Sequence, residues 1–343
     1  MKRRVMVVLI ALLAIFATTQ VVYASGAKES ASGAKKVYRI GAAVYGLKAE
    51  YMRLWTTALE RHPAVKDGSV QVTVFDGQYD ASVQVNQFQT MVTQGYDGII
   101  FVPIDVNAGA AAVQLAAAAN IPVVGSNTRV NSDKLYSYIG SDDVKSGRME
   151  AQAVVDKLGG KGNVVDIEGP IGQSAQIERR KGNQEVLAEN PGIKLLEMKT
   201  ANWSRAEALN LMQNWLSAYP GQINGVIGQN DEMALGAIQA IKQAGLNVKS
   251  FAIAGIDGVT DALNSVKSGE MVSILQDATG QSQGGLDLVM RAIVGPSYKP
   301  LAEVWKSMEW GDGTAKVYNV PWVPVTAGNV DQLLKTRAEL TTR

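Results

Sequence analysis

The sequence predicts an α/β protein of two similar lobes, each a parallel sheet layered with helices. Three observations carry this reading. From residue 38 onward, short apolar β-type runs alternate with helical patterns, the order that builds parallel sheets. Several of these runs are apolar throughout, as strands covered on both faces are. About ten such runs would make one very wide sheet, whereas two sheets of about five or six strands match ordinary α/β domains.

In chain order, YRIGAAV at 38–44 opens the series, followed by VQVTVF at 70–75 and GIIFV at 98–102. Short runs at 123–125 and 138–140 come next, then 163–167, 193–198, 225–227, 251–255 and 272–275. Helical periodicity fills most of the gaps, as at 81–94 and 108–119. Between 225 and 239 the chain reads GVIGQNDEMALGAIQ, which puts Gln229, Asn230 and Asp231 where a parallel strand ends and a helix begins. Open α/β sheets bind small ligands at such places. Asp231 is also well placed to cap the helix, so the triplet reads equally as a capped turn or as half of a binding site.

At the start of the chain, Lys2, Arg3 and Arg4 precede an apolar run over 5–17, and Val22, Tyr23 and Ala24 offer a cut before Ser25. This is a signal peptide over 1–24. Its apolar run is shorter than the roughly 20 residues a membrane span needs. SGAKESASGAKK at 25–36 lacks the bulky apolar residues that order a chain and reads as a flexible tether. There is no Cys, hence no lipid-attachment cysteine, disulfide or thiolate chemistry. Loss of the basic leader turns 33 basic against 32 acidic residues into a small negative charge, which argues against nucleic acid as a partner.

No G-x-G-x-x-G opens a helix after a strand, and Walker A, G-x-S-x-G and H-E-x-x-H sequences are absent. The single His, His62, precedes Pro63 and reads as a surface helix terminus. One His and no Cys leave little for triads or imidazole-rich metal sites. The sequence therefore implies no enzyme, no cofactor and no metal.

Taken together, QNDEMALGAIQ, GIDG at 255–258, IPVVGSN at 121–127, YIGSDD at 138–143 and the Arg179/Gly182 spacing resemble the type I periplasmic binding proteins, particularly the ribose-binding branch that serves ABC sugar importers. The resemblance covers roughly 38–295 and continues weakly at 323–334. It implies two Rossmann-like lobes joined by a three-segment hinge around a ligand cleft. It places 37–140 with 277–303 in an N-terminal lobe, and 141–276 with 304–343 in a C-terminal lobe. The stretch 297–319, with Trp305, Trp310 and GDG, exceeds what the family leads one to expect there and reads as a surface hairpin.

For the second lobe the resemblance implies a ligand wall of Arg179, Trp203, Asn230, Asp257 and Gln276. Arg179 reads alternatively as a solvated helix charge beside Arg180 and Lys181, Trp203 as a core residue, and Gln276 as a strand-end turn residue. Asp231 remains the helix cap. The physical logic suits sugars: carboxylate, amide and guanidinium groups pair with adjacent hydroxyls, and aromatic rings cover C–H faces.

The first lobe departs from the family. Leu47, Lys48, Ala49, Glu50, Tyr51 and Met52 stand where ribose binders carry Asn and paired Phe, and only Tyr51 keeps an aromatic. The asparagine after the third strand is Val102 here, and the family's Asp/Arg pair is Asn127 and Thr128. Ser141 is retained at the first crossover. Lys48 or Glu50 is a candidate contact for an unusual ligand, against the reading of both as exposed turn charges. Asp105 reads as a helix cap. Loss of the ionic pair moves the expectation from ribose toward another sugar or a linear polyol. The implied protein is a monomeric periplasmic solute receptor that delivers its ligand to an ABC permease. Its rival is a receptor for a sugar-derived or chemotactic signal coupled to a membrane sensor.

Overall fold

The computed structural model describes residues 36–342, so the expected signal peptide over 1–24 and, apart from Lys36, the expected tether lie outside the described residues. The strands are β1 (Tyr38–Val44), β2 (Val70–Asp76), β3 (Gly98–Val102), β4 (Val123–Ser126), β5 (Ser137–Gly140), β6 (Gly162–Glu168), β7 (Ile193–Thr200), β8 (Gly225–Gly228), β9 (Ala252–Asp257), β10 (Val272–Leu275), β11 (Val317–Asn319) and β12 (Val323–Pro324). All ten strands expected from the sequence are present, within a residue or a few at their ends. The helices are α1 (Glu50–Glu60), α2 (Pro63–Lys66), α3 (Ala81–Thr93), α4 (Ala108–Ala118), α5 (Asp143–Lys157), α6 (Ser174–Glu189), α7 (Arg205–Ala218), α8 (Asp231–Gln243), α9 (Thr260–Lys267), α10 (Ala278–Val294) and α11 (Val330–Thr341).

Two six-stranded sheets form, in the orders β11-β5-β4-β3-β1-β2 and β12-β10-β9-β8-β6-β7. Their first five strands follow one pattern, with the order reversing beside β1 in one sheet and beside β6 in the other. Those reversals open crevices at the carboxyl ends of the strands. β3 is buried along its whole length, as a central strand between two helical layers must be. β12 joins its sheet antiparallel to β10 and carries Pro324, which suits an edge.

The chain passes between the sheets after β5, after β10 and after β11. Asp142 and Asp277 lie on the first two passages, and each caps the helix that follows, through Lys145 N at 3.0 Å and Gly280 N at 2.8 Å. Across α5 and α6, a Cβ on Gly147 would stand 2.3 Å from Arg179 O, and one on Gly182 would stand 2.2 Å from Val144 O. Only glycine lets these backbones touch. That is the physical content of the Arg179/Gly182 spacing.

Several expectations change. Residues 317–319, expected with the C-terminal lobe, join the first sheet, because β11 pairs parallel with β5. The stretch 297–319 is packed on α10, not a free hairpin. Asp287, fully buried, accepts from Tyr298 Oη at 2.6 Å, Ala302 N at 2.8 Å and Trp305 Nε1 at 2.7 Å. Beside it the Trp305 ring meets Trp310 and Tyr318 edge-on, and those two rings stack on each other. His62 does sit at a helix terminus, where its Nδ1 accepts from Ala64 N, but it is fully buried with Nε2 3.1 Å from Asp287. Asp105 caps α4 as expected, through Asn107 N and Ala108 N.

In the second lobe Glu150 is fully buried with both carboxyl oxygens lacking a hydrogen-bond partner, as does Asp166 Oδ1 nearby. Burial, then Asp166, pushes the Glu150 carboxyl well up. Burial, then Glu168, pushes Asp166 from 3.8 to about 8. A folded state that holds protons more tightly than the unfolded chain is most stable below the unfolded pKa. This contribution is therefore full below 3.8 and is lost as pH rises toward about 8. Glu150→Gln keeps the shape without the charge and should raise the melting temperature at the alkaline end while flattening the decline. Thermal melts across that range check this, and a steeper decline in the variant would contradict it.

Candidate functional site

The carboxyl ends of the two sheets face one another across a nearly shut cavity of about 10 Å³. That is about the least space that holds one water, so the two walls are nearly in contact. From the second lobe come Arg179 on α6, Trp203 after β7, Asn230 after β8, Asp257 ending β9 and Gln276 after β10. Tyr51 on α1 and Asn127 after β4 face them from the first lobe. Each of these side chains is at most 5% exposed, so the two lobes close over the cavity.

Arg179 is held on two sides: Nε donates to Asp143 Oδ1 at 2.8 Å, and Nη1 to Gln229 O at 2.5 Å. Burial works against its charge, but Asp143 and Asp257 outweigh burial and hold the guanidinium above its ordinary range. Trp203 lies under it, with Cζ 5.5 Å from the ring, and its Nε1 donates to Gln173 Oε1 at 2.6 Å. Asn230 caps α8 through Met233 N at 2.9 Å. This corrects the expectation for Asp231, whose carboxylate leaves its own helix to accept from Gly258 N, Val259 N and Ser273 Oγ. Asp231 thereby fixes the turn that presents Asp257.

Asp257 is 4% exposed, and no described residue donates a hydrogen bond to its carboxylate. Burial pushes that carboxyl well above its ordinary value, with Arg179 opposing. Its φ is 126°, outside the range a side chain favours. Gln276 Nε2 is likewise buried without a partner.

In the first lobe Tyr51 Oη donates to Gln281 Oε1 at 2.8 Å, and Asn127 Nδ2 donates to the same oxygen at 3.1 Å. Two expectations for this lobe change. Ser141 is not in the cavity wall; it stands behind it, accepting from Gln281 Nε2 at 3.0 Å. Lys48 is exposed and stays outside, over the Tyr79 ring at 5.6 Å in a recess shared with Glu232. A long charged chain keeps its head in water unless an anion draws it in.

Sequence reasoning missed Tyr45, Gln173 and Gln281, and weighed Thr128 only as a lost arginine. Tyr45, directly after β1, was findable as an aromatic at a strand end; it lines the cavity. Gln173 and Thr128 meet on one carbonyl from opposite lobes, donating to Pro103 O at 3.1 and 2.7 Å.

A second contact between lobes lies at the mouth of the cavity. Neither α1 nor α9 has a side-chain cap of its own. Each receives a carboxylate from the other lobe: Glu232 Oε1 accepts from Glu50 N at 3.2 Å, and Glu50 Oε1 accepts from Thr260 N at 3.0 Å and Thr260 Oγ1 at 2.6 Å. Arg205 backs Glu232 through Nε at 2.7 Å. The helix ends are satisfied only while the lobes are together.

The sequence profile described as "Periplasmic binding protein domain" matches residues 40–297. A xylitol-binding protein of Mycolicibacterium smegmatis is 36% identical over 309 residues, covering 90% of this chain and 82% of that protein. The ribose import binding protein of Bacillus subtilis is 33% identical over 267 residues, or 78% of this chain and 85% of the relative. Among solved structures, an ABC transporter solute binding protein from Bacillus halodurans with bound myo-inositol superposes with a TM-score of 0.78 at 27% identity, covering 89% of this chain and 99% of that one.

Removing the cross-lobe cap should loosen the closed form. Glu50→Ala is expected to cost about 1 kcal/mol of closure, the usual value of a helix N-cap. Hydrogen exchange reads it directly, as faster exchange at the Thr260 amide; unchanged protection there would remove the cap from the account.

Proposed function

Since the chain belongs to the type I periplasmic binding proteins of the sugar-binding branch, we propose that the cavity between its lobes captures a neutral polyol or a monosaccharide through Asp257, Arg179, Asn230, Trp203, Gln276, Asn127 and Tyr51. The protein is the binding protein of a sugar or polyol importer. The observation that carries the ligand reading is Asp257, a buried carboxylate given no donor by the described residues, beside a buried guanidinium. A molecule that both donates and accepts at neighbouring positions meets both demands, and vicinal hydroxyls do so.

The choice of polyol over ribose rests on the first lobe. Asn127, Thr128, Tyr45 and Tyr51 line it without a charged group. They read hydroxyls without imposing the paired geometry of an ionic clamp. A xylitol-binding relative and a myo-inositol complex are in keeping with a pentitol or cyclitol as ligand. Binding is the whole of the chemistry. The only histidine is enclosed by Ala64 and Asp287 away from the cavity, and no step of proton transfer or nucleophilic attack is needed for capture. The leader over 1–24 exports the chain to the periplasm, where the closed, loaded monomer docks on the membrane permease of an ABC transporter.

A thermal-shift panel of four- to six-carbon alditols, inositols, pentoses and hexoses tests the reading. A true ligand at 100 times its Kd should stabilise by about 2.7 kcal/mol, and no response from any polyhydroxylated compound would sink it. Asp257→Ala should weaken binding of the responding compound by about 2–5 kcal/mol, measured by calorimetry.

Affinity should also depend on pH. Hydroxyl donors favour the ionised Asp257, whose carboxyl burial pushes up in their absence. Binding then releases a proton, and affinity falls as pH is lowered through the raised carboxyl pKa. Asp257→Asn should bind weakly at every pH; a wild-type affinity flat down to the ordinary carboxylate range would contradict this.

A further inference from the structure

We propose that Gln281, which lies behind the cavity wall and in no recognised motif, is a positioning residue that sets the hydrogen-bond polarity of the first lobe and thereby decides which hydroxyls of a ligand are read. The inference rests on the polyol reading above. Gln281 is fully buried at the start of α10, and its amide has three partners. Oε1 accepts from Tyr51 Oη and from Asn127 Nδ2, and Nε2 donates to Ser141 Oγ. Its backbone carbonyl accepts from Ser126 Oγ at 3.1 Å, which pins the residue next to Asn127.

The consequence is directional. A tyrosine hydroxyl has one proton, and here it points inward to Gln281. The Asn127 amide nitrogen also faces inward, toward Gln281 and the Tyr51 oxygen. The proton of Thr128 is committed to Pro103 O. What Tyr51, Asn127 and Thr128 can offer the cavity is therefore lone pairs.

Across the cavity the order is reversed. Asn230 spends its oxygen on Met233 N and has its amide nitrogen left to offer. Gln276 Nε2 has no partner, and the Arg179 guanidinium can only donate. Asp257 is the exception, an acceptor in a donor wall. A hydroxyl donates to one wall and accepts from the other. A carbonyl, ether or fluorine turned to Tyr51, Asn127 and Thr128 meets acceptors and leaves them unpaired, a larger penalty than losing a hydrogen bond in water; Tyr45, which also lines this wall, keeps its hydroxyl proton to offer.

Gln281 also ties this wall to the passages between lobes. α10 follows the passage that holds Gln276, and Ser141 lies on the first passage. One amide thus fixes the two ligand-facing groups Tyr51 and Asn127 relative to two of the three connections.

The test compares xylitol, or whichever alditol the panel selects, with its monofluoro analogues, in which fluorine accepts weakly and cannot donate. In the wild-type protein at least one analogue should bind about tenfold more weakly than the parent, the scale of one unmade hydrogen bond. In Gln281→Met, Tyr51 and Asn127 are free to turn. The parent should then lose about tenfold, and the penalty for that analogue should shrink to about twofold. A merely structural role would lower all affinities alike and leave the fluorine penalty unchanged, which would overturn the proposal, as would wild-type affinity in Gln281→Met.

Should that variant fail to fold, Ser141→Ala removes only the partner of Nε2 and should shrink the penalty in the same direction; an unchanged penalty there also counts against it. A wild-type protein that binds no polyol overturns the functional reading, and this proposal with it, before any variant is compared.

Discussion

The ion pair between Arg179 and Asp143 is the fixed point of this structure. Both side chains are within 4% of complete burial, and the pair joins α6 to the helix that the first passage delivers. The other arm of the guanidinium holds the carbonyl of Gln229, which ends the strand before Asn230. Its faces meet Trp203 at 5.5 Å and Trp322 at 5.6 Å, the latter on the third passage. Trp322 in turn donates to Asp142 O at 2.7 Å, beside the cap of the first passage. A lysine could not do this, because one ammonium offers neither the planar fork nor a stacking face. Breaking such a buried pair costs about 3–5 kcal/mol, so the hinge and the second-lobe wall are set by the same residue.

From that fixed point the two walls acquire different characters. The second lobe carries its polar groups on a charged frame centred on Arg179. The first lobe uses neutral groups, of which Tyr51 and Asn127 take their orientation from a single amide behind them. On the proposed reading, charge in the second lobe supplies strength, since charge-assisted hydrogen bonds are about twice as strong as neutral ones. On the same reading, neutral groups in the first supply discrimination, because their preferences are directional and their failure leaves unpaired atoms.

This division explains what was legible in the sequence. Second-lobe side chains are read from strand ends, where apolar runs stop at GID or GQN, and the carboxyl edge of a parallel sheet has few uses for a buried acid. The choice between Asn230 and Asp231 as the cap was not legible. Both types cap helices, and the decision lies with Gly258 and Val259, distant in sequence, whose amides claim Asp231. Gln281 sat inside a helical pattern with no local mark, and only the fold brings Tyr51, Asn127 and Ser141 to it. Likewise, His62 and the stretch 297–319 looked like surface because the group that buries them, Asp287, reads as one more helix acid. Lys48 erred the other way. A cation at a strand-helix turn resembles a ligand contact until the turn directs it to solvent.

Backbone strain shows when the energetic cost of recognition is met. Asn127, Trp203 and Asp257 line one cavity with φ of 60°, 59° and 126°. Such conformations cost on the order of 1–3 kcal/mol each for residues that do not tolerate them, least for asparagine. The contacts that hold Asp257 in place, through Asp231 and through Gln276 N to Asp257 O at 3.2 Å, are formed by the second lobe alone. Its strain is therefore met in folding and does not recur in binding, which is preorganisation in the strict sense. The exchange of caps between Glu50 and Glu232 is different, because it exists only with the lobes together. Affinity then separates into a part built into each lobe and a part gained on closure. Groups of the first kind discriminate among ligands. Those of the second shift the open and closed populations for all ligands alike.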